Sequence, residues 1–242
     1  MTTLLKRLLP PRLKWILARW LHNDLQATST ISHAQEGEDI ALLRRIGHRP
    51  NGFFVDVGAH HPSRFSNTLA FSNMGWRGIN IEANPDAAGE FLKKRHRDIN
   101  LNIGIGGHRS QMKFFRFDEP ALNTFSPEVA EQREKSGFKM LDSIPIEVYP
   151  LAEVLEKHLP AGTAIDLLSV DVEGLDLDVL QSNDWERFAP AFIIVEILDR
   201  GLDEVKEDPI AIFLKSKGYM AFAKTGHSVI FERAIATGSH GN

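Results

Sequence analysis

Carboxylates stand where several apolar runs of this chain stop. Asp56 follows Phe53-Phe54-Val55, Glu82 follows Ile79-Asn80-Ile81, Asp171 and Glu173 follow Ile165–Val170, and Glu196 lies late in Ala191–Leu198. A carboxylate there can accept hydrogen bonds from ligand hydroxyls, take a proton, or bind a hard cation. Asp56 runs at once into Val57-Gly58-Ala59-His60-His61-Pro62. Gly58 and Ala59 carry little side chain, which suits a turn that a ligand approaches closely. His60 changes charge near neutral pH and is the leading candidate for a general base, packing or capping of the turn being its alternative. His61, directly before Pro62, is the weaker candidate.

These residues need strands to hold them, and the patterning supplies strands alternating with helices. Phe53–Val57, Gly78–Glu82, Ile99–Ile105, Ile165–Val170 and Ala191–Leu198 read as strands. Arg64–Met74, Asp86–His96, Leu151–His158, Leu175–Leu180 and Pro209–Ser216 read as helices. Gln111–Phe117 and Ile144–Tyr149 are expected as further strands, and Tyr219–Ala223 with Ser228–Phe231 as a hairpin. The polar stretch 119–143 is long for a connection within a compact domain and is expected as a lid or a mobile excursion. The order predicts a doubly wound α/β domain with a mostly parallel sheet. Ligands of such sheets bind beyond the carboxyl ends of the strands, where Asp56, Glu82, Asp171 and Glu196 fall.

Glu82 lies on the order of 20 residues past the first turn, the separation at which a second-strand carboxylate meets ribose hydroxyls. Histidines and proline occupy the place where more glycines would receive a pyrophosphate. A cofactor with ribose and no phosphate fits that turn, and S-adenosylmethionine is one.

The composition restricts the rest. The 242 residues can bury one sizeable core, and the formal net charge of −4 argues against general nucleic-acid binding. With no cysteine, disulfides, thiolate metal sites and cysteine nucleophiles are excluded. The first 22 residues carry Lys6, Arg7, Arg12, Lys14 and Arg19 and no acid. Leu13, Ile16, Leu17 and Trp20 follow a helical stripe, and Pro10-Pro11 interrupts the segment. Residues 4–22 are expected to dock on protein, either this domain or a second subunit, or to lie on an anionic membrane. The domain reading is an extension over 1–30, one domain over 31–235 and a tail over 236–242. A cytoplasmic location is expected, with the inner membrane face as the alternative.

Several stretches in one order resemble the FkbM-like family of S-adenosylmethionine-dependent methyltransferases. They are VDVGAHHPSRFSNT, GWRGINIEANP, LLSVDVEGLDLDVLQSNDW and FIIVEI. Upstream, Gln35-Glu36-Gly37-Glu38-Asp39 looks like the family's Gln-x-Gly-Glu-Asp signature, and Ile212–Tyr219 looks like its closing helix and strand. The similarity covers roughly residues 31 to 232. Ala34 stands where the family often has Ser, and Glu82 where many members have Asp.

The resemblance implies a class I methyltransferase fold with a seven-stranded, mostly parallel sheet and an antiparallel C-terminal hairpin. It implies methyl transfer, mostly to hydroxyls of sugars, glycans or glycolipids, with polyketide and peptide acceptors as alternatives. The cofactor is expected against Asp56, Gly58, Ala59, Asn67, Glu82, Ala83, Asn84, Ile105 and Asp171. His60, Asp171 and Glu173 are the catalytic candidates; Gln35, Glu38, Asp39 and His61 are expected at the substrate or lid. Asp171 and Glu173 could instead cap the helix that follows, or bind magnesium or another hard cation with Glu196. The rival classes are a nucleotide-binding Rossmann oxidoreductase and a non-catalytic scaffold at a membrane.

Overall fold

The structure is a computed structural model that describes residues 30–47 and 49–234. By its contacts the chain divides into Met1–Ile31 and Ser32–Asn242. The expected N-terminal amphipathic helix and the tail at 236–242 lie outside the described residues. No helix among the described residues is long and apolar enough to cross a membrane.

The helices are α1 (Glu38–Ile46), α2 (Leu69–Asn73), α3 (Pro85–Lys94), α4 (Pro127–Lys135), α5 (Leu151–His158), α6 (Asp176–Gln181) and α7 (Pro209–Ser216). The strands are β1 (Phe53–Val57), β2 (Arg77–Ile81), β3 (Ile99–Leu101), β4 (Gly104–Ile105), β5 (Ser110–Phe117), β6 (Met140–Tyr149), β7 (Leu167–Val170), β8 (Phe192–Glu196), β9 (Tyr219–Lys224) and β10 (Ser228–Arg233). Seven strands form the main sheet in the order β3-β2-β1-β7-β8-β10-β9. The first five run parallel, and β10 runs antiparallel to both its neighbours. Strand order reverses between β1 and β7, which puts the ends of β1, β2 and β7 around one crevice.

β1 and β7 are buried along their whole length, as expected for central parallel strands covered on both faces. Alternation then sends side chains into separate cores. Phe53, Val55 and Val57 join the larger apolar cluster with Leu168, Val170 and Val195. Phe54 faces the other way, toward Leu42, Phe71, Trp76 and Leu167. Asp56 shares the Phe54 side of the strand.

Three expected elements change. The stretch Ile99–Ile105 is not one strand, because Asn102 breaks it: its amide donates to the carbonyls of Glu82 and Ala83 at 2.8 and 2.9 Å. A side chain that bonds backbone in this way competes with the ladder. β4 then leaves the main sheet and joins β6 and β5 in a three-stranded sheet, whose core is Ala83, Phe114, Phe125, Ile146 and Val148. The helix expected over Arg64–Met74 keeps only Leu69–Asn73. Ahead of it, the His61 ring nitrogen accepts from the amides of Ser63 and Arg64, and Phe65 adopts a φ of 55°. The stretch expected as a lid or excursion holds its own helix, α4, started by Ser126, whose hydroxyl accepts from the Val129 amide, with Pro127 in the first turn.

A buried polar cluster backs the first turn. Thr68 donates to Asp56 at 2.7 Å, and Arg95 reaches Asp98 at 2.8 Å, Thr68 at 3.3 Å and Asn80 at 3.5 Å. The Arg95 and Asp98 side chains are only 2% and 1% exposed. Arg95→Met is therefore expected to strand the Asp98 carboxylate and destabilise the domain by about 3–5 kcal/mol. Urea unfolding measures this; a loss under about 1 kcal/mol, typical of a surface pair, contradicts the buried cluster.

Candidate active site

The crevice at the strand ends is a cleft with about 910 Å³ of empty space, open mouth included. Its walls come from the β1 turn, the end of β2, the β4 region, the end of β7 and the excursion after β5.

Gly58 makes the turn possible, for a reason other than ligand approach. Its φ is 75°, and a Cβ placed there would lie 1.7 Å from the Asp171 carbonyl oxygen. The Gly58 and Ala59 amides both donate to the Ile81 carbonyl, at 3.0 and 3.1 Å. The turn is thereby pinned between β2 and β7.

Glu82 is buried at the end of β2, where one carboxylate oxygen accepts from the His60 amide and the other from the Asn84 amide, each at 2.7 Å. Each oxygen keeps a lone pair for another donor. Burial pushes the Glu82 carboxyl up to about 7, against the two amides that favour its charge. Ala83, Asn84 and Ile105 line the same wall, and Asn84 also caps α3 by accepting from the Asp86 amide. Asn67 lines the cleft, its amide donating to the Ser169 hydroxyl at 3.1 Å. Asp56 lies on the cleft floor with its carboxylate turned to Thr68, and burial raises its proton affinity.

His60 lines the cleft with its ring stacked on Phe65, centroids 6.1 Å apart. Its Nε2 is buried without a hydrogen-bond partner among the described residues. Burial, then the charges of Arg64 and His61, lower the ring to about 4, so it is neutral and a weak base at pH 7. Asp171 has the opposite character. Its carboxyl is open to solvent in the cleft but crowded by protein, and burial followed by Glu196, Glu173, Asp176 and Asp56 lifts it well above the ordinary carboxylate range. Burial and Glu173 likewise push Glu196 up to about 8.

Neither Asp171 nor Glu173 caps α6. The helix has no side-chain cap; Asp176, its first residue, instead ties the turn before it, accepting from the amides of Val172 at 3.2 Å and Gly174 at 3.3 Å, and burial raises it to about 6. The Glu173 carboxylate pairs with Arg133 of α4, a residue the strand-end logic gave no reason to select. Among the described residues no three His, Asp or Glu are grouped to hold a metal ion.

Of the upstream signature only Gln35 lines the cleft. Glu38 accepts from the Glu36 amide and from the Thr225 hydroxyl, and Asp39 accepts from Ser32 and the His33 amide. Asp39 thus holds the segment to itself, and Glu38 also ties it to the β9–β10 turn. His61 does not line the cleft either; its ring serves the local turn. Pro120, Ala121, Asn123 and Phe125 were missed and do line it. The signal that could have placed their segment is Ser126-Pro127-Glu128, a helix start in an otherwise patternless stretch.

A model described as the methyltransferase FkbM domain matches residues 56–220, more than half of the chain. The chain belongs to the FkbM methyltransferase family. Among solved structures, similarity is found to a methyltransferase FkbM from Methylobacillus flagellatus KT at 12% identity and a TM-score of 0.45, covering 75% of this chain and 43% of that one. This FkbM chain thus matches less than half the length of that relative. A precorrin-6Y C5,15-methyltransferase from Geobacter metallireducens GS-15 is 14% identical with a TM-score of 0.46, covering 86% and 94%. An O-methyltransferase from Bacillus cereus in complex with SAH is 13% identical with a TM-score of 0.37, covering 93% and 91%. No curated protein matches the chain.

Proposed function

We propose that the cleft binds S-adenosylmethionine and that the protein methylates a hydroxyl of a sugar, glycan or glycolipid. Glu82 carries the cofactor reading: a buried carboxylate at the end of β2, aimed by two backbone amides and still able to accept from ribose hydroxyls. Asn67, Ala83, Asn84 and Ile105 complete the wall that would hold the ligand. The first turn favours a ligand without pyrophosphate, since no helix begins until Leu69 and His60 fills the cleft side. When bound, the sulfonium supplies an electrophilic methyl group for in-line displacement.

The chain's own part is to orient the acceptor and take its proton. Asp171 is the base in this reading, because a carboxylate of raised proton affinity in the cleft is better matched to an alcohol than a ring held near 4. No step is assigned to a divalent cation, since Glu173 is engaged by Arg133 and the carboxylates form no ligand group. The decisive experiment offers methyl-labelled cofactor with fractionated glycans and lipids from the source cells. Label in a saccharide hydroxyl is expected; label confined to peptide overturns the acceptor class.

A pH prediction follows from Glu82. Ribose hydroxyls donate to the ionised carboxylate, so ligand binding favours loss of its proton. Affinity for S-adenosylhomocysteine is expected to rise with pH through about 7 and level off above it. Glu82→Gln should abolish that rise and weaken binding about 10–100-fold, the worth of one charge-assisted hydrogen bond. Calorimetry across pH checks both, and a pH slope surviving in Glu82→Gln assigns the effect elsewhere.

A further inference from the structure

Helix α4 meets the cleft through one charged contact. The Arg133 guanidinium reaches the Glu173 carboxylate with one nitrogen and the Leu122 carbonyl with another. Around it, the Thr124 hydroxyl donates to the Glu173 carbonyl at 3.0 Å, and Val129 lies over Gly174. Glu173 and Gly174 both adopt positive φ, 55° and 106°, a turn that the contact to α4 helps to hold. Thr124 is in turn tied to β5, exchanging backbone hydrogen bonds with Phe115 at 2.9 and 3.1 Å. The excursion is thus anchored at its start, and Arg133 anchors its helix.

The same contact places a cation beside a group of acids drawn from several elements. Asp171 directly follows β7, Glu196 ends β8, Asp176 opens α6 and Asp56 lies on β1. Glu36, from the segment before α1, faces Glu196 as well and is paired with His227 at 2.7 Å. Arg133 acts on Glu196 in the opposite sense to Glu173, Asp176 and Glu36.

We propose that Arg133 is a positioning residue of the reaction, clamping α4 onto the Asp171–Gly174 turn and setting its positive charge against the Glu173 carboxylate, near Asp171 and Glu196. This deepens the functional reading above and rests on it. Arginine suits the role because its fork can grip carboxylate and carbonyl together, whereas lysine supplies charge without the fork. The two parts of the role therefore separate in two variants.

The test compares unsubstituted protein with Arg133→Gln and Arg133→Lys. In cofactor-free protein, amide hydrogen exchange over residues 127–135 is expected to quicken about tenfold in both variants, because neither keeps the two-pronged contact. Calorimetry then gives the ratio of S-adenosylmethionine to S-adenosylhomocysteine affinity across pH. Glu82 contributes equally to both ligands, so the ratio reports the acids near the sulfonium charge. It is expected to climb as they ionise, with a midpoint that Arg133→Gln moves up by about one pH unit and Arg133→Lys restores. A purely structural contact would leave that midpoint in place. Unchanged exchange in both variants overturns the clamp, and an unmoved midpoint in Arg133→Gln, or one Lys fails to restore, overturns the charge role. No uptake of either ligand by unsubstituted protein sinks the cofactor reading together with the charge role, while the exchange result still decides the clamp by itself.

Discussion

Asp171→Asn is expected to slow methyl transfer by about 10²–10⁴-fold, the usual worth of a positioned general base. Uptake of S-adenosylhomocysteine should stay near that of the unsubstituted protein. The substitution keeps the shape of the side chain and the backbone bond from the Asp171 amide to the Val57 carbonyl at 3.0 Å. What it removes is a proton acceptor and a charge. The carboxyl has a raised proton affinity in the folded state, so its contribution to stability is present below its unfolded pKa and lost as pH rises. At neutral pH the amide relieves that repulsion, and the melting temperature should hold or rise. Lost activity in a protein of equal or greater stability would separate chemistry from folding. His60→Gln provides the comparison. With a neutral ring of low proton affinity, its loss is expected to cost less than about tenfold. The reverse ranking, with Asp171→Asn retaining activity and His60→Gln losing it, moves the base to His60.

The strand ends were legible in the sequence because a buried parallel strand leaves a plain trace. Phe53–Val57 and Phe192–Glu196 are short, mostly apolar runs with a carboxylate at or next to the last residue. Position in the sheet then brings Asp56, Gly58, Glu82 and Asp171 to one cleft without any local signal linking them. Side-chain hydrogen bonds to backbone were not legible. Asn102 turns the chain out of the main sheet, His61 holds the irregular turn before α2, and Asp176 ties the turn that follows β7. Each acts through a partner whose position depends on the fold. Gly58 was selected for close approach of a ligand, and the fold adds a second reason that the sequence did not carry, the close approach of the Asp171 backbone. Glu38 and Asp39 were placed at the site on the resemblance, and helix start and segment bonding account for them. Arg133 was invisible because its carboxylate partner, Glu173, lies far off in sequence and reaches it only through the fold.

Gly58→Ala is expected to be among the most damaging single-methyl additions in the chain. The added carbon would meet the Asp171 carbonyl oxygen at 1.7 Å, with its carbonyl carbon at 2.7 Å. These are backbone atoms between two central strands, held by the Asp171 amide's bond to Val57 and by the Gly58 amide's bond to Ile81. Neither can swing aside as a flexible side chain would. The positive φ of 75° adds the left-handed penalty of about 1–2 kcal/mol for a residue with a Cβ. Overpacking of this kind typically costs a further 1–3 kcal/mol or somewhat more, so a total of about 3–5 kcal/mol is expected. For a domain of this size that lowers the melting temperature by about 10 °C. Any folded remainder must part β1 from β7 at the point where Asp171 stands, so methyl transfer should fall further than stability does. Gly89→Ala is the matched control. It lies inside α3, and an added Cβ meets nothing within 4 Å. There the same methyl should stabilise by about 0.5–1 kcal/mol through helix propensity. Thermal denaturation of the pair reads the contrast directly. Equal melting temperatures would mean that β1 and β7 do not approach as closely as the turn requires, and the cleft built on that approach would go with it.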